Sequence, residues 1–248
     1  MEARRIQQKY ASQINIFVGF EGEWLHPAMT QQQLDLIEEV EWDLFVGSVH
    51  HLDRIPIDIS LAEYDQARQV SGGTDERMCE DYFDAVYDML QALRPPVVGH
   101  FDIIRLFWQD PTFSFRTWPG VWEKVVRNLS FIAEYGGVLE LNAAGFRKER
   151  GDPFPGVEIC KEFKKLGGCF TLTDDSHGVH HVGLDYDRVF ESIREAGITE
   201  LSCMTAVSDT VKAHDKRFPK VGWKTVAVKD LEGRVEELKK HFITDGVK

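Results

Sequence analysis

The stretch PGVWEKVVRNLSFIAEYGGVLELN, residues 119–142, contains a helix that leads directly into a strand. Apolar side chains recur at helical spacing between Pro119, a residue favoured at helix starts, and Gly136, a residue favoured just past helix ends. The closing letters VLELN are predicted to form a short strand. A helix followed at once by a buried strand predicts an α/β protein.

The same alternation continues in both directions from this unit. Strands are predicted at INIFVG (14–19), LFVGSV (44–49), PVVG (96–99), CFTLT (169–173) and ITELSCM (198–204). Helices are predicted over residues 30–42, 77–93, 156–166, 188–196 and 231–242. Continuously apolar strands between helices indicate a parallel sheet covered on both faces, which leaves an α/β barrel and a doubly wound sheet both open.

Composition narrows the class of protein further. The chain has 248 residues, 43% of them hydrophobic, and its 29 basic and 41 acidic residues give a net charge of −12. These values fit one globular domain over residues 1–248, and they argue against a disordered chain, an integral membrane protein and a nucleic-acid binder. The N-terminal residues lack the apolar core of a signal peptide and the four cysteines form no CxxC pair, so a cytoplasmic protein with reduced thiols is expected.

Metal-ligand types collect where the predicted strands end. Glu21, His50 and His100 each follow a predicted strand, and Asp175 and His177 follow CFTLT. The carboxyl ends of parallel strands are where α/β folds build their active sites. Imidazoles and carboxylates together suit Zn, Mn or Fe, so the pattern predicts a divalent metal site. Phosphate-binding glycine loops and a GxSxG elbow are absent from the sequence.

A cationic loop follows the strand VLELN, and further histidines lie near the predicted ligands. Asn142, Arg147 and Lys148 belong to the segment NAAGFRKERGDPFP, which is predicted to bind an anion because arginine can hold a phosphate with two parallel hydrogen bonds. His51 is expected to point away from the site, because neighbouring strand residues face opposite sides. His180 and His181 stay undecided between a substrate contact and a surface position.

Several motifs, in this order, resemble the polymerase and histidinol phosphatase (PHP) superfamily, and most closely its monofunctional histidinol-phosphate phosphatases. They are GFEGEW (19–24), VGSVHH (46–51), GHFDIIRLF (99–107), LELNAAGFRK (139–148) and TDDSHGVHHVGLDYD (173–187). The resemblance implies a distorted TIM-like (βα)7 barrel that holds up to three divalent metals. It also implies hydrolysis of L-histidinol phosphate to L-histidinol and phosphate, in histidine biosynthesis.

The resemblance assigns roles to residues as well. It implies that Glu21 is a bridging ligand, that His50, His100, Asp175 and His177 complete the catalytic metal site, and that Arg147, Lys148 and Asn142 bind the substrate phosphate. The family opens with an HxH strand motif that this sequence lacks, so a shortened member without its first two β/α units is expected. Two alternatives stay open: a PHP phosphoesterase with another phosphorylated substrate, and an inactive fragment with a binding or regulatory role.

Overall fold

The computed structural model describes residues 2–244, and the side chains of residues 2–237. The helices in chain order are α1 (Glu2–Lys9), α2 (Thr30–Glu39), α3 (Leu61–Val70), α4 (Asp75–Leu93), α5 (Pro119–Tyr135), α6 (Ala144–Arg147), α7 (Val157–Lys165), α8 (Tyr186–Ala196) and α9 (Val228–Thr244). The strands are β1 (Gly19–Glu23), β2 (Leu44–Ser48), β3 (His51–Leu52), β4 (Ile55–Pro56), β5 (Val97–Val98), β6 (Val138–Asn142), β7 (Cys169–Thr173), β8 (Glu200–Ala206) and β9 (Val221–Ala227).

A parallel sheet forms the centre of the fold, in the order β1-β2-β5-β6-β7. Every neighbouring pair in it is parallel, with Gly19 opposite Leu44 in β1–β2 and Val138 opposite Cys169 in β6–β7. All five residues of β6 are buried, including the polar Glu140 and Asn142, as expected for an interior strand of a parallel sheet covered on both faces. The prediction of an α/β protein with a parallel sheet is therefore confirmed. Within residues 2–244, β1 and β7 are the edges of this sheet.

Helices α4 and α5 pack against each other and against the central region of the sheet. Tyr82 and Phe83 of α4 and Val125 and Leu129 of α5 are at most 1% exposed, and α4 also packs on β2. Thr74 caps α4 by accepting a hydrogen bond from the backbone N–H of residue 77, at 3.2 Å. The end of α5 is set by Gly136 at φ 79°, a left-handed conformation that glycine adopts without steric cost.

The N-terminal part of the sheet differs from the sequence prediction. The strand predicted over residues 14–19 is wrong, because β1 begins at Gly19 and Ile14 is 58% exposed. Asp43 explains the late start. Its carboxylate accepts from the Val18 N–H at 2.7 Å and its own N–H donates to the Val18 carbonyl, so side-chain and backbone contacts precede the ladder. As a result, Glu21 lies inside β1 instead of beyond its end.

Other elements were missed or assigned without their pairing. The long segment 56–75 contains α3, and the C-terminal strand β8 pairs antiparallel with β9 in a separate sheet. Residues 51–56 form the short antiparallel pair β3–β4. All four cysteines are free, as predicted. None of the helices in the described part of the chain is long and apolar enough to cross a membrane.

Candidate metal centre

Three side chains from neighbouring strands meet at one end of the parallel sheet. Glu21 comes from β1, His50 follows β2 and His100 follows β5, and these strands lie side by side in the order β1-β2-β5. The His100 Nε2 atom lies 2.9 Å from Glu21 Oε1 and 2.9 Å from His50 Nε2, and His50 Nε2 lies 3.7 Å from Glu21 Oε1. The structure therefore brings together three of the five predicted ligands.

The donor atoms of this cluster fit a divalent cation. One ligand atom from each of Glu21, His50 and His100 lies within 4.8 Å of the other two. Tetrahedral zinc with ligands at about 2.0–2.2 Å needs neighbouring donor atoms roughly 3.3 Å apart, which the separations here bracket. His100 is 3% exposed, and its second ring nitrogen, Nδ1, has no hydrogen-bond partner in the described part of the chain. Such a set of nitrogen and oxygen donors suits Zn, Mn or Fe.

The electrostatics of the cluster favour charged forms of its members. Burial raises the pKa of the Glu21 carboxyl, but the hydrogen bond and charge of His100 outweigh burial and lower this pKa to about 2. Burial lowers the pKa of His100, whereas the hydrogen bond that His100 donates to Glu21 and the negative charge of Glu140 raise it to about 9. The negative charge that favours a proton on His100 also favours a metal ion, which displaces that proton when the neutral imidazole becomes a ligand.

Sequence reasoning missed Glu23, which holds both neighbouring histidines. Its carboxylate accepts from the His50 N–H at 3.0 Å, contacts His50 Nδ1, and lies 2.9 Å from His51 Nδ1. The prediction that His51 points away is wrong, because the chain leaves β2 at Ser48 and turns into the β3–β4 pair. The spacing of Glu21 and Glu23 was the available signal, since residues two apart on a strand share a face.

Asp175 and His177 lie in the loop that follows β7, outside the three-residue cluster. Asp175 is close enough to raise the pKa of His100 through its charge. His177 has a side chain that is 74% exposed, and its Nδ1 atom lies 2.8 Å from the Asp175 carbonyl oxygen. The ring of the exposed His180 contacts the ring of the half-buried His181, with centroids 4.2 Å apart. The metal-binding role of Asp175 and His177 stays a prediction.

The three residues predicted to bind phosphate occupy different environments. Arg147 donates from its two terminal nitrogens to the carbonyl oxygens of Asp174 and Asp175, the latter at 2.7 Å. Asn142 is 1% exposed, and its side chain bonds to Glu140 and to the Ala144 N–H, both at 2.8 Å. Lys148 is exposed, and its side chain makes no hydrogen bond or ion pair with described residues, which leaves its ammonium group free.

Comparisons with known proteins agree with this geometry. A family model described as the PHP domain matches residues 2–144, more than half of the chain. A Schizosaccharomyces pombe protein named "Probable histidinol-phosphatase" is 41% identical over 82% of this chain and 66% of its own length. The Saccharomyces cerevisiae histidinol-phosphatase is 32% identical over 81% of this chain and 68% of its own length. The chain thus spans about two thirds of the length of these curated relatives.

Solved structures share the fold. A Listeria monocytogenes crystal structure described as a histidinol phosphatase superposes with a TM-score of 0.68 at 28% identity, covering 75% of this chain and 73% of that one. A Lactococcus lactis histidinol phosphate phosphatase, solved with zinc, L-histidinol and phosphate, gives a TM-score of 0.63 at 22% identity, over 81% and 74% of the two chains. At that identity, the second match supports the fold alone.

Proposed function

This chain belongs to the PHP domain family, and we propose that it is a metal-dependent phosphatase that converts L-histidinol phosphate and water to L-histidinol and phosphate. The observation that carries the proposal is the meeting of Glu21, His50 and His100, with donor atoms within 4.8 Å, at the end of three adjacent parallel strands. The choice of L-histidinol phosphate as the substrate is supported by the relatives named as histidinol-phosphatases.

Glu21, His50 and His100 hold the metal in this proposal, with Asp175 and His177 joining from the loop after β7. When bound, divalent ions supply Lewis acidity, which lowers the pKa of a water molecule toward about 7 and stabilises negative charge on phosphoryl oxygens. Glu23 orients His50 by contacting the Nδ1 atom and the backbone N–H of that histidine. The Nε2 atom of His50 is therefore directed toward Glu21 and His100. An outer carboxylate of this kind fixes the ring and its tautomer.

The cationic loop after β6 serves the substrate. Lys148 offers an unpaired ammonium group to the phosphate of a small monoester. Arg147 holds the carbonyls of Asp174 and Asp175, so its main contribution is to shape the loop that carries two proposed ligands. Asn142 supports the end of β6 from the protein interior. Bound cations offset the net charge of −12, which otherwise repels a phosphate ester.

We propose Zn, Mn or Fe as the metal, because imidazole nitrogen with carboxylate oxygen suits these ions better than Mg or Ca. The experiment is to strip the purified chain with a chelator, reload it with each ion in turn, and measure phosphate release from L-histidinol phosphate. A phosphodiester, bis(p-nitrophenyl) phosphate, tests the alternative substrate class. His100→Gln, which removes an imidazole from the cluster, is the matched control.

We expect metal-restored release from histidinol phosphate, little turnover of the diester, and loss of activity in the His100→Gln variant. Faster turnover of the diester contradicts histidinol phosphate as the substrate and favours a PHP phosphoesterase that acts on another phosphorylated compound. A chain that binds metal but hydrolyses neither compound contradicts the enzyme and favours a binding or regulatory role.

A further inference from the structure

A buried carboxylate connects the ends of three strands beneath the candidate metal centre. Glu140 lies in β6 and is 5% exposed. Its Oε1 atom accepts from the His100 N–H at 2.5 Å and from Asn142 Nδ2 at 2.8 Å, and its Oε2 atom accepts from Thr173 Oγ1 at 3.0 Å. A buried charge with good geometry to three donors is costly to disturb, because each donor loses its partner.

The contact to His100 replaces a missing ladder bond. Strand β5 consists only of Val97 and Val98, so the His100 N–H lies beyond the last residue that pairs with β6. The Glu140 side chain reaches this N–H directly, past Gly99. A Cβ atom at Gly99 would lie 2.3 Å from Ser48 Oγ but 3.6 Å from Glu140 Oε1, an ordinary van der Waals distance, so the close approach that requires glycine here is that of Ser48.

The contact to Thr173 reaches the other part of the site. Thr173 is the last residue of β7, and its carbonyl oxygen accepts from the Ala143 N–H at 2.9 Å. Asp174 and Asp175 follow immediately. Asn142 shares a face of β6 with Glu140, and it bonds both to Glu140 and to the Ala144 N–H. The ends of β6 and β7 are therefore fixed to each other and to His100 through one carboxylate.

We propose that Glu140 is a positioning residue for the metal centre, which sets the backbone of His100 relative to the start of the loop that carries Asp175. The inference rests on the proposed metal site, but it does not depend on the substrate. Glu140 acts through hydrogen bonds to the backbone of one ligand and to the strand that precedes two others. Its effect is on the spacing of donor atoms, and hence on metal affinity.

The test compares Glu140→Ala, which removes the carboxylate, with Glu140→Gln, which keeps its shape. The glutamine oxygen can still accept from His100 and Asn142, and its amide can donate to the Thr173 hydroxyl. Asn128→Ala is the matched control for lost stability. Asn128 is fully buried and donates to the Phe83 carbonyl at 2.7 Å, within the α4–α5 contact. Affinity of the stripped protein for Co²⁺ is measured from its visible absorption and by competition with a chelator, alongside thermal unfolding.

We expect Glu140→Ala to weaken Co²⁺ affinity by about 10–100-fold, as loss of an outer-shell partner typically does. Glu140→Gln is expected to stay within about threefold of the parent chain on the same scale, because its hydrogen bonds survive. Asn128→Ala should lower the unfolding temperature and leave affinity unchanged. If Glu140→Ala does not fold, Thr173→Val carries the test, with weaker affinity expected from loss of the Oε2 contact alone.

Unchanged affinity in the Glu140→Ala or Thr173→Val variant overturns the inference, and so does equal weakening in Asn128→Ala. Equal weakening in Glu140→Gln and Glu140→Ala also overturns it, because charge and not position is then the cause. A parent chain that binds no Co²⁺ overturns the metal site and this inference together. A chain whose Co²⁺ affinity depends on Glu140 as expected, but which hydrolyses no histidinol phosphate, overturns only the proposed reaction.

Discussion

At the scale of single residues, one carboxylate in β1 orients two imidazoles. Glu23 contacts His50 through the ring and the backbone, and it also contacts His51. Substitution of Glu23 by glutamine keeps the size of the side chain but replaces one acceptor oxygen by an amide donor. The two histidine rings then no longer share a group that can accept from both. We expect Glu23→Gln to reduce phosphatase activity by about 10–100-fold, measured as kcat/KM at saturating metal.

Glu134→Gln is the control for this substitution. Glu134 is an exposed glutamate in α5 without a hydrogen bond or ion pair to described residues, so its variant should keep full activity. Activity of Glu23→Gln equal to that of Glu134→Gln would show that the histidine rings are held by other contacts.

Arg147 and Lys148 are adjacent in sequence but differ in their contacts. Arg147 bonds to the carbonyl oxygens of Asp174 and Asp175, whereas Lys148 is free. We expect Arg147→Met to lower kcat and bound metal by about tenfold or more, because the loop with Asp175 loses its restraint. Lys148→Met should instead raise KM about two- to fivefold at unchanged kcat, because an exposed cation contributes up to roughly 1 kcal/mol. Steady-state kinetics with metal analysis separates the two, and a pure KM effect in Arg147→Met would make it a direct phosphate contact.

Residue types alone indicated the metal centre, but not the contacts that arrange it. Glu21, His50 and His100 could be found because imidazoles and carboxylates after buried strands are chemically distinctive. Glu140 could not be distinguished from an ordinary strand carboxylate, and the only sequence signal for Glu23 was its spacing of two residues from Glu21. Their roles depend on where neighbouring strands stop, and that is decided by tertiary pairing and not by local sequence.

At the scale of elements, the approach of β2 to β5 limits what can stand at position 99. A Cβ atom there would lie 2.3 Å from Ser48 Oγ and 3.0 Å from Val46 Cγ1. We expect Gly99→Ala to cost about 1–3 kcal/mol of unfolding free energy by overpacking, and to displace His100 next to it. Urea unfolding and metal affinity check both effects.

The control for this variant is Gly233→Ala in α9, where a Cβ atom meets nothing within 4 Å. Alanine in a helix interior is favoured over glycine, so this change should be neutral or slightly stabilising. Equal stability of Gly99→Ala and Gly233→Ala would mean that β2 and β5 separate without penalty.

Helix α1 is attached to the sheet through Asp43. Its carboxylate, 3% exposed, accepts from Arg4 Nη1 at 2.7 Å, Gln7 Nε2 at 3.1 Å and the Val18 N–H. Burial raises the pKa of Asp43. The hydrogen bonds from Arg4 and Val18 and the charge of Arg4 lower this pKa by more, so the net result is a pKa below the ordinary value. A carboxyl with a lowered pKa in the folded state stabilises the protein above the unfolded pKa of about 3.9, and loses this effect as the pH falls through the folded value.

We therefore expect Asp43→Asn to cost about 1–3 kcal/mol of unfolding free energy at pH 7. The difference from the parent chain should shrink as the pH falls below about 3.9, where the unfolded carboxyl takes up a proton, and should be lost only below the lowered pKa of the folded carboxyl. Urea unfolding at both pH values measures it, with the exposed Asp35→Asn in α2 as the control. A difference that is independent of pH would show that the charge of Asp43 is not what holds α1.

Element prediction succeeded where periodicity and end signals agree and failed where tertiary contacts decide. Helices α4 and α5 and strands β6 and β7 match the predicted segments closely, because apolar spacing and glycine or proline ends coincide. The run at 14–19 is as apolar as β7, yet Asp43 bonds to the backbone N–H and carbonyl of Val18 and β1 starts only at Gly19. The antiparallel pairing of β8 with β9 has no local signal, because β9 alternates polar and apolar residues weakly.

At the scale of the whole molecule, a net charge of −12 attracts cations and repels phosphate, so we expect cations to bind before a phosphate ester does. A metal that binds only the folded chain stabilises it by about 2.7 kcal/mol at a free concentration of 100 times Kd. For a chain of this size, that corresponds to roughly 5–10 °C in Tm. We expect chelation to lower Tm by this amount and added Mn²⁺ or Zn²⁺ to restore it, as followed by calorimetry.

The His100→Gln variant locates the origin of that shift. Removal of this imidazole leaves Glu21 and His50 without the donor that lies 2.9 Å from each of them, so the metal-dependent part of Tm should largely disappear. The remaining surface carboxylates bind cations weakly, because exposed ion pairs contribute little in water. A full metal-dependent shift in His100→Gln would therefore place the stabilising ion elsewhere on the acidic surface. The stabilisation would then come from the net charge of the molecule and not from the ligands at the strand ends.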